Sequence, residues 1–172
     1  SGARFRQPEL AATLRRIAAR GADDFYRGRT AQLIAEEMQR GNGLIALEDL
    51  AGYQPKWRDP IIGDWRNYRI VSAPPPSSGG IAILQYLQIK ALLADAFMGA
   101  AHNSVRYVYL KSEIEKRIFA DRAVHLGDPD FVDVPVDRLL DPAYLQARAT
   151  EVDLRQPSKT RTVQIGAEPM HT

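Results

Sequence analysis

Apolar residues return every three or four positions through Leu10, Leu14 and Ile17, and again through Tyr26, Leu33, Ile34 and Met38, with Thr30 on the same stripe. That period puts each set on one face of a helix. Pro8 suits a first helical position, Glu9 suits the first turn, and Gly21 suits the end, which bounds the first helix. Asp23 or Asp24 is the expected cap of a second helix that runs to Gly41-Asn42-Gly43. The two read as a helical hairpin. Glu48-Asp49-Leu50 predicts one short helical turn. The pattern then becomes extended over about 54–62 and 68–72. Trp57, Trp65 and Tyr68 are its packing groups, Pro60 marks an edge, and Gly63-Asp64 is the expected hairpin turn.

The run Pro74-Pro75-Pro76-Ser77-Ser78-Gly79-Gly80 ends the extended stretch. Three prolines fix φ and withhold backbone donors. The serines can cap the helix that follows, and the glycines let its first turn lie close against other backbone. Ile81, Leu84, Leu87, Ala91 and Ala94 carry that helix to about Phe97. A longer one is expected from about His102 to Leu126, capped by Asn103 or Ser104, with Tyr107, Leu110, Ile114 and Ile118 as its stripe. Glu113 and Arg117 read as a surface pair worth a few tenths of a kcal/mol. Gly127-Asp128-Pro129-Asp130 breaks the helix, and Asp141-Pro142 opens another through about Thr150. From Glu151 the chain is polar and charged, as in Arg155-Gln156-Pro157-Ser158-Lys159-Thr160-Arg161-Thr162, and reads as a mobile tail. The expected organisation is a helical region over 1–150 with a β ribbon at about 54–72, then a tail over 151–172. The class is α+β, mostly helical.

A chain of 172 residues, 45% hydrophobic and 26% charged, can bury a real core. Its net charge is +2 and its basic residues are dispersed among acids. No basic patch interleaved with aromatics is present, so nucleic acid is not an expected partner. The absence of cysteine removes disulfides, thiolate metal sites and a Cys nucleophile, and fits cytoplasm or periplasm alike. No stretch approaches the ~18–20 apolar residues of a membrane span. Ser1-Gly2-Ala3-Arg4 carries neither an initiator Met nor the apolar core of a signal peptide, so a longer parent chain is expected.

Few residues read as chemistry on their own. Ser77 and Ser78 sit in no G-x-S-x-G elbow and have no histidine beside them, which favours helix capping. His102 and His125 lie near opposite ends of one helix, too far apart to share an ion, and His171 has no metal spacing to either. Asp121 follows Ile118 by three residues and so faces partly inward, where a carboxylate needs a charged or amide partner; an ion pair that fixes packing is favoured over a site-orienting role. Asp128, Asp130 and Asp133 lack the spacing of a cation loop and read as turn formers. No glycine pattern resembles a phosphate loop. No cofactor or metal is expected. A threonine becomes a nucleophile when it starts a chain, because its own α-amine then serves as the base. Thr172 could do so only if the chain continued and were cut beside it.

Several segments together resemble the γ-glutamyltranspeptidases (glutathione hydrolases). In order they are Gln7-Pro8-Glu9-Leu10-Ala11, Gly21 with Phe25-Tyr26-Arg27-Gly28, Glu48-Asp49-Leu50-Ala51-Gly52-Tyr53, and Tyr68-Arg69-Ile70 running into the Pro-Ser-Gly corner. Ala120-Asp121-Arg122 and Gly127-Asp128-Pro129-Asp130-Phe131-Val132 follow. Their number, order and spacing span nearly the whole chain. The resemblance implies the C-terminal half of the large subunit, in the α/β/β/α fold of N-terminal-nucleophile hydrolases. It implies a precursor that cuts itself at a threonine, and Glu168-Pro169-Met170-His171-Thr172 aligns with the stretch running into that cut. Thr172 then falls on the nucleophile and His171–Thr172 on the cleaved bond; an offset of one residue would leave the nucleophile outside the chain.

The implied reaction opens the γ-glutamyl amide of glutathione and passes the γ-glutamyl group to water or an amino acid through an acyl-threonine. The implied partners are the small subunit, glutathione and amino-acid acceptors. The implied location is periplasmic or secreted. The remaining substrate contacts fall outside this stretch, so the isolated chain is expected to be inactive. Two alternatives stand: a related amidohydrolase such as a cephalosporin acylase or a poly-γ-glutamate depolymerase, and a non-catalytic helical scaffold.

Overall fold

A computed structural model describes residues 2–166 of the chain; His171 and Thr172 lie outside the described residues. The chain forms two compact units, residues 1–57 and residues from Arg58 onward.

In the first unit, α1 spans Pro8–Arg20, α2 Ala22–Tyr26, α3 Arg29–Arg40 and α4 Leu47–Gly52. The expected second helix is thus divided at Arg27-Gly28. Asp24 is the reason. Instead of capping, its side chain turns into the corner and is buried, accepting a hydrogen bond from the Thr30 hydroxyl at 2.5 Å and facing Arg16 Nε at 3.4 Å. A Cβ on Gly28 would stand 2.8 Å from Asp24 Cα, so only glycine lets α3 restart this close. Helix α4 opens where the Asp49 carboxylate accepts the Ala46 N–H at 2.8 Å. Tyr53, just beyond α4, stacks on Tyr26 with ring centroids 5.4 Å apart.

The second unit begins with an antiparallel ribbon, β1 (Ile61–Trp65) and β2 (Tyr68–Ser72), in register from Ile61 opposite Ser72 to Trp65 opposite Tyr68. The turn is therefore Arg66-Asn67, with Arg66 at φ 54°, and not Gly63-Asp64. Gly63 lies within the strand because the Leu84 side chain comes to 2.7 Å from where its Cβ would be. After the proline corner come α5 (Gly79–Leu92), α6 (Ala94–Phe97), α7 (Val105–His125), α8 (Val136–Leu139), α9 (Pro142–Thr150) and a 3₁₀ turn at Thr160–Thr162. The helix expected over 81–97 breaks at Leu93, whose N–H still bonds to Ile89 O while α6 restarts from it. Ser104 caps α7 by accepting the Tyr107 N–H, and Asp141 caps α9 by accepting the Tyr144 N–H.

The core of this unit gathers Ile61 of the ribbon, Ile81, Leu84 and Ile89 of α5, Ile114 and Ile118 of α7, and Leu139, Tyr144, Leu145 and Ala149 of α8 and α9. Burying each large aliphatic side chain here contributes roughly 1.5–3 kcal/mol. The amide of buried Gln85 donates to Leu139 O at 3.0 Å, which ties α5 to α8. Among the described residues the result is the mostly helical α+β class with one two-stranded ribbon.

The segment expected to be a mobile tail is held down over 151–166. Val152 is buried, and Tyr109 of α7 sets its hydroxyl against the carbonyls of Asp153 and Gln156, 2.8 Å from the latter. Most of its side chains stay exposed, and it is the backbone that polar side chains of α7 and α9 hold.

The two glycines that open α5 are unequal. A Cβ on Gly80 would lie 2.8 Å from Ala73 O and 3.1 Å from Ser72 Cβ, whereas Gly79 has room. Gly80→Ala should destabilise the protein by about 1–3 kcal/mol, because overpacking against a backbone carbonyl outweighs alanine's better helix propensity. Gly79→Ala should be neutral or slightly stabilising. Urea-denaturation midpoints of the two variants check this; equal midpoints would contradict it.

Candidate functional site

Glu113, Arg117 and Asp121 recur at four-residue spacing along α7 and so share one face. All three are buried, which corrects the expectation of a surface Glu113–Arg117 pair. The buried arc of α7 is wider than its apolar stripe, and its polar part is matched by α9 and by the chain after it. Arg117 Nη1 lies 3.0 Å from Glu113 Oε2, and Lys116 Nζ lies 2.6 Å from Glu113 Oε1. The Ser158 N–H donates to the same Oε1 at 3.1 Å, while Lys116 donates to Ser158 O at 2.6 Å. Arg117 also donates to Glu151 O.

Arg148 of α9 is the centre of the network at 1% exposure. Its Nη2 donates to Arg117 O at 2.8 Å and stands 3.2 Å from Asp121 Oδ1. Its Nη1 donates to Glu151 Oε2 at 2.6 Å and to Gln164 O at 3.2 Å. Charges taken this far out of water persist only when paired and hydrogen-bonded, and here three carboxylates meet three cations. The buried ion pair expected of Asp121 is present, with Arg148 as its partner.

The network ends at Gly166, the last described residue. Asp121 Oδ1 accepts the Gly166 N–H at 3.1 Å, and Arg138 Nη2 approaches Gly166 O at 3.5 Å. A Cβ on Gly166 would meet the Tyr144 ring and hydroxyl at 2.5–2.6 Å, so a glycine is required at this contact. The Tyr144 hydroxyl is pushed well above the ordinary phenol value, first by burial and then by the adjacent Asp121 charge, and remains a neutral phenol. Burial pushes Glu113 upward, but hydrogen bonds from Lys116, Ser158 and Arg117 and the Lys116 charge outweigh it and hold its carboxyl below the ordinary 4.5.

The remaining candidates lie elsewhere. Ser78 precedes α5 but makes no capping bond; its Oγ accepts from Arg122 Nε at 2.9 Å, so it links α5 to α7. Ser77 Oγ accepts the Gly79 N–H at 3.4 Å. His102 tilts against Tyr107 with centroids 5.1 Å apart, and His125 is the last residue of α7. Arg58 Nη2 pairs with Asp130 at 2.8 Å and faces Asp128 at 3.6 Å, while Asp128 accepts the Asp130 N–H as a turn former does. Among the described residues no cluster of three or more acids and histidines is arranged to hold a metal ion, and no helix is long and apolar enough to cross a membrane. The signal for the tail anchor was available in the α7 spacing, but its partners lie more than thirty residues away.

The family model for gamma-glutamyltranspeptidase matches residues 1–171. The chain belongs to the gamma-glutamyltranspeptidase family. It is 53% identical over its whole length to the glutathione hydrolase proenzyme of Pseudomonas aeruginosa, covering 31% of that protein. Among solved structures it resembles the gamma-glutamyltranspeptidase of Pseudomonas nitroreducens complexed with L-DON, with a TM-score of 0.84 and 52% identity over 96% of this chain and 49% of that one. It also resembles the cephalosporin acylase of Bacillus halodurans, with a TM-score of 0.69 and 30% identity over 91% of this chain and 29% of that one. The chain thus spans about a third of the length of the curated relatives it matches.

Because Glu113 is held below 4.5, its contribution to stability is complete above that value and is lost as pH falls through the lower value of the folded state. Glu113→Gln should cost about 1–3 kcal/mol at pH 7 and flatten the acid limb of the stability curve. Urea titrations at pH 7 and near pH 4 check this; an acid limb parallel to that of the unsubstituted protein would refute the assignment.

Proposed function

We propose that this chain is the C-terminal half of the large subunit of a γ-glutamyltransferase and glutathione hydrolase, made as a precursor that cuts itself between His171 and Thr172. What carries the reading is the family match through residue 171, together with a buried polar network that anchors the chain as far as Gly166, six residues before Thr172. The named proenzymes among its relatives support a precursor origin.

In this reading the Thr172 hydroxyl attacks the His171 carbonyl carbon. The C–N bond breaks as the acyl group moves to oxygen, and the amine takes up the proton. Water hydrolyses the ester, which frees the His171 carboxylate and a threonine with an α-amine. That amine takes the proton of its own hydroxyl as the oxygen attacks the γ-glutamyl carbonyl, and it returns a proton to the leaving amine. Water or an acceptor amino acid then opens the acyl-threonine. The helices do no bond chemistry; they anchor the chain as far as Gly166, ahead of the cut. The small subunit of the same precursor supplies the remaining contacts. The compartment proposed with this reading is the periplasm or the exterior, on the family resemblance alone.

A second reading keeps the self-cleavage and changes the donor. The 30% identity to a cephalosporin acylase makes a cephalosporin side-chain amide the alternative substrate.

Expressed as the full precursor, the protein should appear as two chains whose masses place the cut before Thr172, and Thr172→Ala should leave one uncut chain. The cut protein should turn over γ-glutamyl-p-nitroanilide faster than a cephalosporin amide, and residues 1–172 alone should turn over neither. An uncut unsubstituted precursor, or cleavage that persists in Thr172→Ala, would overturn the reading.

A further inference from the structure

We propose that Asp121, Tyr144 and Arg138 form a clamp on Gly166 that sets the register in which the chain enters the cleavage region, and that the clamp governs the rate of self-cleavage. The inference rests on the precursor reading above.

Gly166 is held at every group it has. Its N–H is buried and donates to Asp121 Oδ1 at 3.1 Å, its carbonyl faces Arg138 Nη2 at 3.5 Å, and a Cβ on it would lie 2.5 Å from the Tyr144 hydroxyl, which leaves no room for a side chain. Arg148 has further acceptors in Arg117 O, Glu151 Oε2 and Gln164 O. The Gly166 N–H, by contrast, has Asp121 as its acceptor. A carboxylate carried on the rigid helix α7 thus fixes one backbone atom of a segment forty-five residues further along the chain.

Register matters to the reaction. A slip of one residue moves an extended chain by ~3.3 Å and reverses the direction of each side chain. The Thr172 hydroxyl and the His171 carbonyl are neighbours in the chain and travel together, so such a slip carries the pair away from the groups of the precursor that must polarise the carbonyl, where a misplacement of ~1 Å already slows a reaction. Loss of the clamp therefore lowers the fraction of precursor in which the His171–Thr172 bond sits where the rest of the precursor can act on it. Once the bond is cut, the register of the large-subunit end no longer bears on turnover. Asp121 is on this account a positioning residue for processing and not a catalytic residue.

The test follows cleavage of the full-length precursor by gel and intact mass over time. Asp121→Ala, which removes the acceptor, should slow cleavage at least ~10-fold, a barrier increase of about 1.4 kcal/mol. Asp121→Asn keeps an oxygen that accepts the Gly166 N–H and should cleave within about threefold of the unsubstituted rate. Turnover of γ-glutamyl-p-nitroanilide per cleaved molecule should stay unchanged in both. A merely structural role for the Asp121–Arg148 charge pair predicts instead that Asn is as slow as Ala, and that result would overturn the proposal, as would Asp121→Ala cleaving at the unsubstituted rate. If Asp121→Ala does not fold, Gly166→Ala decides: it leaves α7 untouched, and slowed cleavage supports the clamp while an unsubstituted rate refutes it. An unsubstituted precursor that never cuts marks failure of the precursor reading itself, a different result from one in which all variants cut alike.

Discussion

The second unit of this protein depends on one buried guanidinium. Arg148 donates to the backbone of α7, to the backbone of the segment after α9 and to Glu151, and it faces Asp121 across the α7–α9 contact. Removing one partner of such a buried network costs about 3–5 kcal/mol, because the remaining charge is stranded away from water. An apolar residue of the same size could fill the volume. It could not reach two backbone carbonyls and a carboxylate in three directions, and it would leave the chain after Thr150 without a fixed course.

That course is what the helices serve. The apolar layer of Ile81, Leu84, Ile114, Ile118 and Leu145 holds α5, α7 and α9 together without specifying much beyond contact. The polar layer beside it is directional. Glu113 accepts the Ser158 N–H, Arg117 and Arg148 donate to the carbonyls of Glu151 and Gln164, and Asp121 accepts the N–H of Gly166. A segment with few apolar residues is thereby ordered by backbone hydrogen bonds to buried side chains. The same device works on a smaller scale in the first unit, where the Thr30 hydroxyl and Arg16 hold the buried Asp24 carboxylate below its ordinary value and fix the corner between α2 and α3.

Much of this was legible in the residues. Pro8, Ser104 and Asp141 announced helix starts that the structure contains, and the period of Leu110, Ile114 and Ile118 marked the face of α7 that is buried. Asp121 announced a buried ion pair. Local signals failed where a distant group intervened. Gly63 looked like a turn residue and is a strand residue, because Leu84 of α5 occupies the space a Cβ would need. Ser78 looked like a helix cap and is an acceptor for Arg122, forty-four residues away.

The sequence by itself determined the helices, the ribbon and the family, since periodicity, capping residues and short ordered motifs act over a few neighbours and survive any arrangement of the rest. Tertiary structure alone decided that the polar stretch after Glu151 is anchored and that Gly166 is clamped. A lysine, a serine or a carboxylate reads the same in solvent as in a network. Only burial, which arises when α7 and α9 come together, turns those charges from solvated groups into ones that must find each other and the backbone between them.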